Sequence, residues 1–265
     1  MRDDLQNLIA NTDVFLLDMD GTIYLDSTPI GDMVSTLDSI RRAGKKIVYF
    51  TNNSSKTVDE YREKLTRIGF WRDEDIIYTS GMASIWYLRK YHADSRVYLL
   101  GTDALKRSYV DSGIHLVEDD ADVAVLAYDT SLTFAKIKRF NEMLVKGARY
   151  ISTHPDLVCP TDDIFMPDVG SFIKMFEASS GRTPEVIIGK PYTYMGEMIL
   201  DQLAVETSRV TMVGDRLYTD VKFGLNCGFN SVLVLSGETT MDDYRESGIE
   251  ATLVLDSLND VAKYL

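Results

Sequence analysis

Four short apolar runs in this 265-residue chain end in side chains suited to phosphate or hard-cation chemistry. Run 14–17 leads into Asp18-Met19-Asp20-Gly21-Thr22, and run 47–50 into Thr51-Asn52-Asn53. Run 186–189 leads into Lys190-Pro191, and run 210–214 into Asp215-Arg216, with Asp220 five positions on. Residues two apart in an extended segment point the same way, so Asp18 and Asp20 would present carboxylates side by side. Such a pair repels itself unless a cation sits between the two or one is protonated. Gly21 then lets the backbone turn sharply away. Thr51 and the amides after it precede a helical pattern, whose N-terminus is a natural anion seat. Lys190 is a point cation able to bind phosphate or neutralise a carboxylate. Asp215 is an oxygen ligand suited to a hard cation, and Asp220 could support it or cap the helix that follows. Each feature alone has a plainer explanation, such as a loop of aspartates, a helix cap or a solvated lysine. Four strands delivering such groups to one edge read as a single phosphate- and cation-handling site, because open α/β sheets bind ligands outside the carboxyl ends of their strands.

The elements that must position these groups are legible from periodicity. Ten apolar, β-branched runs span 14–17, 46–50, 75–79, 96–100, 122–127, 148–152, 185–188, 209–213, 231–235 and 251–255. They read as buried strands. Helical patterns separate them. Thr57 with Glu60 forms a capping-box signature, apolar residues follow at helical spacing, and Gly69 stops the helix. Thr102-Asp103 can cap another helix running to Gly113, and 134–146 is amphipathic with Gly147 closing it. Alternating strand and helix predicts an α/β fold built on a doubly wound parallel sheet. The chemistry-bearing runs lie before residue 60 and after 185, so the middle reads as an inserted second α/β domain. The expected division is a core of 1–94 and 183–265 with an insertion of 95–182.

Lys plus Arg number 28 against 41 Asp plus Glu, a net charge of −13, which disfavours binding to the polyanionic backbone of nucleic acid. No apolar run approaches the ~18–20 residues of a membrane span, and the first residues lack a signal-peptide pattern, so a soluble, cytoplasmic protein with no membrane partner is expected. Cys159 and Cys227 form no paired motif, and with three histidines a zinc site is not expected.

The ordered set DMDGT, TNNS, IGKP and GDRLYTD resembles the haloacid dehalogenase superfamily. The start FLLDMDGTIYLDSTPI and the segment FTNNSS, with an insertion between the second and third motifs, resemble its cap-bearing phosphatases, the NagD-like and p-nitrophenyl phosphatase branch. The resemblance extends over nearly the whole chain. It implies a Mg²⁺-dependent phosphatase acting on a small phosphorylated metabolite, with Asp18 as nucleophile and Asp20 as general acid and base. It further implies that Thr51, Asn52, Asn53 and Lys190 hold the phosphoryl group. Asp18, the Asp20 carbonyl and Asp215 would hold Mg²⁺, with Asp220 supporting. The insertion would be a cap that selects substrates, and such caps often mediate homodimerisation. The chain departs from many relatives at His154-Pro155-Asp156, where they have Asn before Pro-Asp, and at Pro167-Asp168-Val169-Gly170. The proline-stiffened segment 154–170, with His154, Asp156, Asp162 and Asp163 as polar groups, is expected to read the organic half of the substrate. Two alternatives of other classes are a phosphoaspartyl switch, whose domains are shorter and lack a cap, and a non-catalytic phospho-metabolite binder.

Overall fold

A computed structural model describes residues 2–160 and 164–265 and divides the chain into two compact units. The first comprises Met1–Thr51, Val58–Tyr78 and Lys190–Leu265. Its six-stranded sheet has the spatial order Leu253–Leu255, Asn230–Val234, Val210–Gly214, Val14–Leu17, Lys46–Thr51, Ile76–Thr79. Neighbours from Leu253–Leu255 through Lys46–Thr51 pair in parallel. The chain builds outward from Val14–Leu17 in one direction, then returns at Val210–Gly214 and builds in the other. The strand order therefore reverses between these two central strands, and that reversal opens a crevice at their carboxyl ends. All four residues of Val14–Leu17 are buried, as expected of a strand covered on both faces. Helix Met33–Arg42 packs Met33, Leu37 and Ile40 into the core at helical spacing, among Phe15, Leu17, Ile47, Tyr49 and Phe70.

The second unit comprises Asn52–Thr57 and Thr79–Gly189. Its parallel sheet has the order Val186–Ile187, Arg149–Ser152, Val123–Leu126, Val97–Leu100. Three of its helices start with a threonine whose hydroxyl accepts a backbone N–H in the first turn: Thr79 before Ser80–Tyr91, Thr102 before Asp103–Asp111, Thr133 before Phe134–Val145. Asp168 caps Val169–Ser180 in the same role. The core gathers Tyr98, Leu126, Phe140, Tyr150 and Phe176, with the Phe140 and Phe176 rings 4.6 Å apart.

The ten strands read from the sequence are all present, six in one sheet and four in the other. Two antiparallel hairpins were not anticipated: Tyr24–Leu25 with Thr28–Pro29, and Val158–Pro160 with Phe165–Pro167. Strands of two or three residues are too short to show an alternating pattern. The second hairpin lies within the proline-stiffened segment 154–170; Asp162 and Asp163 fall outside the described residues. The second unit is also larger than the insertion drawn at 95–182. Helix Ser80–Tyr91 joins it because Ser84 Oγ meets the Tyr109 hydroxyl at 2.6 Å and Gly81 packs against Leu105. Among the described residues no helix is long and apolar enough to cross a membrane.

Candidate active site

In the first unit the strand registers bring four of the expected groups to one edge. Leu17 lies opposite Tyr49 on one side and Val213 on the other. Thr51 and Asp215 therefore flank Asp18 on neighbouring strands, each one residue further along, with strands about 4.8 Å apart. The Asp18 N–H donates to the Val213 carbonyl at 2.9 Å, which fixes its backbone as a continuation of the ladder. Lys190 Nζ sits 2.5 Å from Asp18 Oδ1 and 2.7 Å from Asp220 Oδ1, with its ammonium also 5.4 Å from the centre of the Phe50 ring. Burial alone would depress this ammonium; the Asp18 and Asp220 carboxylates outweigh it and hold its pKa above the usual lysine value. Lys190 is thus a fixed positive charge.

Asp215 is 2% exposed. Its Oδ1 accepts from the Thr22 hydroxyl at 3.2 Å and its Oδ2 from the Glu238 N–H at 2.8 Å. Gly21, at φ 81°, and Gly237 leave the room this carboxylate occupies, since a Cβ at either position would collide with it. Burial, reinforced by the Asp18 charge, pushes its pKa up to about 6. Burial also raises Asp220, against the opposing pull of Lys190, and Asp220 Oδ2 accepts from the Arg216 N–H at 3.2 Å. Asp18, Asp215 and Asp220 each bring one oxygen within 4.8 Å of the others. Three carboxylates facing Lys190, with the Arg216 charge acting on them too, offer an oxygen set that fits a hard divalent cation. The Asp20 side chain stands apart from this cluster and remains open to solvent. Partial desolvation of its carboxyl nonetheless raises its pKa; Lys64 opposes this, while Asp26 and Asp18 add to it. Its backbone is set by the tight turn in which the Gly21 N–H donates to the Tyr24 carbonyl.

The remaining expected residues lie in the second unit. Asn52 is buried, and its Nδ2 donates to both Asp156 carboxylate oxygens at 3.1 Å. Asn53 Oδ1 accepts from the Ser55 N–H and hydroxyl, closing a local turn. His154 is fully buried, with Nδ1 3.4 Å from Asp156 Oδ2 and Nε2 3.6 Å from Asp168 Oδ1. The His154 ring faces two carboxylates and shows no surface in this structure. Asp156 is only 14% exposed at its side chain.

Sequence reasoning did not single out Thr22, Gly237 or the Glu238 amide as supports of Asp215. The available signal was the Ser236-Gly237-Glu238 loop after Asn230–Val234, the strand beside the Asp215 strand.

Most of the chain is similar to known proteins. The family model described as haloacid dehalogenase-like hydrolase matches residues 15–115, and one described as HAD-hydrolase-like matches 187–261. An acid sugar phosphatase of Staphylococcus epidermidis is 32% identical over 246 residues, 92% of this chain and 95% of that protein. The structure of a 4-nitrophenylphosphatase from Thermotoga maritima superposes with a TM-score of 0.92 at 39% identity, covering 97% of this chain and 98% of that one. NagD of E. coli K-12 superposes with a TM-score of 0.87 at 25% identity over 94% and 98% of the two chains. The chain belongs to the haloacid dehalogenase-like hydrolases. Within them it falls in the NagD-like branch that includes the p-nitrophenyl phosphatases.

Proposed function

We propose that this hydrolase is a Mg²⁺-dependent phosphatase of small organic phosphate monoesters, working through a phosphoaspartate on Asp18. In the first step an Asp18 carboxylate oxygen attacks phosphorus, the P–O bond to the alcohol breaks, and Asp20 gives its proton to the leaving oxygen. In the second, Asp20 takes a proton from water, whose oxygen attacks phosphorus and releases inorganic phosphate and Asp18. Lys190 and Thr51 hold the phosphoryl oxygens, with the segment Asn52-Asn53 after them. Asp18, Asp215 and the Asp20 carbonyl would hold Mg²⁺, with Asp220 supporting; when bound, the ion neutralises charge on the transferring phosphoryl group. Positioning and charge neutralisation are most of what phosphoryl transfer asks of a protein.

The observation that carries this reading is Lys190, clamped between Asp18 and Asp220 in the cluster that contains Asp215. Lys190 holds one Asp18 oxygen, and the other is the one assigned to attack. Sugar phosphates head the substrates to test, given the acid sugar phosphatases among the relatives. The deciding experiment is steady-state phosphate release from p-nitrophenyl phosphate with Mg²⁺. Many equivalents per chain support the reading, a single equivalent indicates a phosphoaspartyl switch, and none indicates a binder.

Asp20→Asn should slow turnover chiefly for substrates with poor leaving groups, where proton donation matters most, by about 10²–10⁴-fold. Rates measured across phenols of graded acidity check this; equal losses across the series would give Asp20 a structural role.

A second expectation concerns pH. The folded pKa of Asp215 is raised to about 6. A raised carboxylate contributes stability that is fully present below its unfolded value and lost as pH rises through the folded one. Stripped of divalent ions, the wild type should therefore lose stability relative to Asp215→Asn between pH 4 and 7, by about 3 kcal/mol at most. Added Mg²⁺ should raise the wild-type melting temperature more at pH 7.5 than at pH 5. Thermal melts of both proteins measure this, and an equal Mg²⁺ effect at both pH values would count against the cluster as the binding site.

A further inference from the structure

Asn52 follows Thr51 directly, yet its side chain is built into the second unit, where Asp156 receives its amide on both carboxylate oxygens at 3.1 Å. The Asn52 carbonyl accepts from the Ser80 hydroxyl, so both ends of this residue are held. The hold continues through the next residues. Ser54 Oγ lies 3.2 Å from Thr153 Oγ1 and accepts from the Tyr128 N–H at 2.9 Å, and the Thr102 hydroxyl donates to the Ser55 carbonyl at 3.2 Å. Asp156 is itself braced. Its carbonyl accepts from the Gly170 N–H at 2.7 Å, and one carboxylate oxygen faces His154 Nδ1 at 3.4 Å. The other imidazole nitrogen faces Asp168, whose Oδ1 accepts from the Val169 N–H at 2.6 Å as the cap of helix Val169–Ser180. The His154 ring thus lies buried between the two carboxylates, at distances longer than hydrogen bonds, while Asp156 is hydrogen-bonded to the residue after Thr51.

We infer that Asp156 is a positioning residue for phosphate binding, acting through Asn52, and that His154 holds Asp156 in that role. The inference rests on the phosphatase reading above. A carboxylate that receives a buried amide makes a charge-assisted hydrogen bond, stronger than a neutral pair. Its effect is to fix the direction of the peptide that follows Thr51, and anion seats made of backbone N–H groups depend on that direction. Reading the organic half of a substrate would instead need these side chains exposed, and His154 has no exposed surface.

The test is the kinetics of p-nitrophenyl phosphate hydrolysis with inorganic phosphate as competitive inhibitor. Asp156→Ala should raise both KM and the inhibition constant of phosphate by about tenfold, the scale of one charge-assisted hydrogen bond, with a smaller change in kcat. Asp156→Asn keeps an acceptor and the shape, so it should show a smaller loss in the same direction; it also carries the test should the alanine variant fail to fold. His154→Ala should shift the phosphate constant the same way. Asn52→Ala should match Asp156→Ala, and the double variant should be no worse than either single one, since both remove one interaction. Two results would overturn the inference: an inhibition constant unchanged within about twofold in folded Asp156→Ala, or losses from Asn52→Ala and Asp156→Ala that multiply. Either is read against a wild type that turns over. A wild type that releases no phosphate fails the phosphatase reading instead.

Discussion

Asp18→Asn is expected to fold and to lose turnover by roughly 10⁴-fold or more, the usual scale for removing an obligatory nucleophile. Asparagine matches aspartate in shape, and the Asp18 N–H bond to Val213 is made by the backbone, so the end of the strand should stay in place. Lys190 keeps Asp220 as its partner, which avoids leaving a buried ammonium uncompensated. The variant should still bind inorganic phosphate, because Lys190 and Thr51 are untouched and one negative charge is gone. Steady-state phosphate release measures the loss, and trapping of a phosphorylated protein, present in wild type and absent in Asp18→Asn, locates it. Turnover like the wild type in this variant would remove Asp18 from the reaction.

Exhaustive chelation is expected to abolish activity and Mg²⁺ to restore it, with Ca²⁺ a poor substitute because it favours more ligands and longer bonds. The cause lies in the charge inventory. Asp18, Asp215 and Asp220 crowd together with Lys190 as the cation in direct contact, and burial, with the Asp18 charge adding to it, raises the pKa of Asp215. Bringing a phosphate dianion to such a place requires further positive charge. Asp215→Ala should raise the Mg²⁺ concentration needed for half-maximal rate by at least about tenfold, the scale seen when metal-site partners are removed. Activity assayed against Mg²⁺ after passage over a chelating resin checks both claims. Rates that survive chelation would rule out the metal reading.

Local order explains what the sequence made legible. The strands announce themselves because most are short apolar, β-branched runs, the central ones buried along their length, and the candidate site groups stand where four of those runs stop. Asp18, Thr51, Lys190 and Asp215 are candidates on that ground, since a strand end is a position along the chain. Supports contributed from a distance carry no such mark. Thr22 meets Asp215 from 193 positions away, and Asn52 meets Asp156 from 104. The second unit extends beyond 95–182 for the same reason. Helix Ser80–Tyr91 looks like any connecting helix, and its allegiance is decided by contacts such as Ser84 with Tyr109. A histidine in a polar loop looks accessible in the sequence, and nothing local marks that the His154 ring lies fully buried beside Asp156 and Asp168.

The six residues Asn52–Thr57 have a consequence for any attempt to treat the insertion as an exchangeable cassette. By chain order alone the cassette would be cut twice, near Thr79 and Gly189. A graft made with those cuts would leave behind the host's own 52–57, and the incoming domain would arrive with Asp156, Thr153, Ser80 and Thr102 side chains shaped for a different strip of sequence. A donor taken from a relative therefore has four junctions, two of them flanking a hexapeptide that begins one residue after Thr51. Specificity transplanted between members of this branch should travel with that hexapeptide or arrive on a distorted phosphate seat.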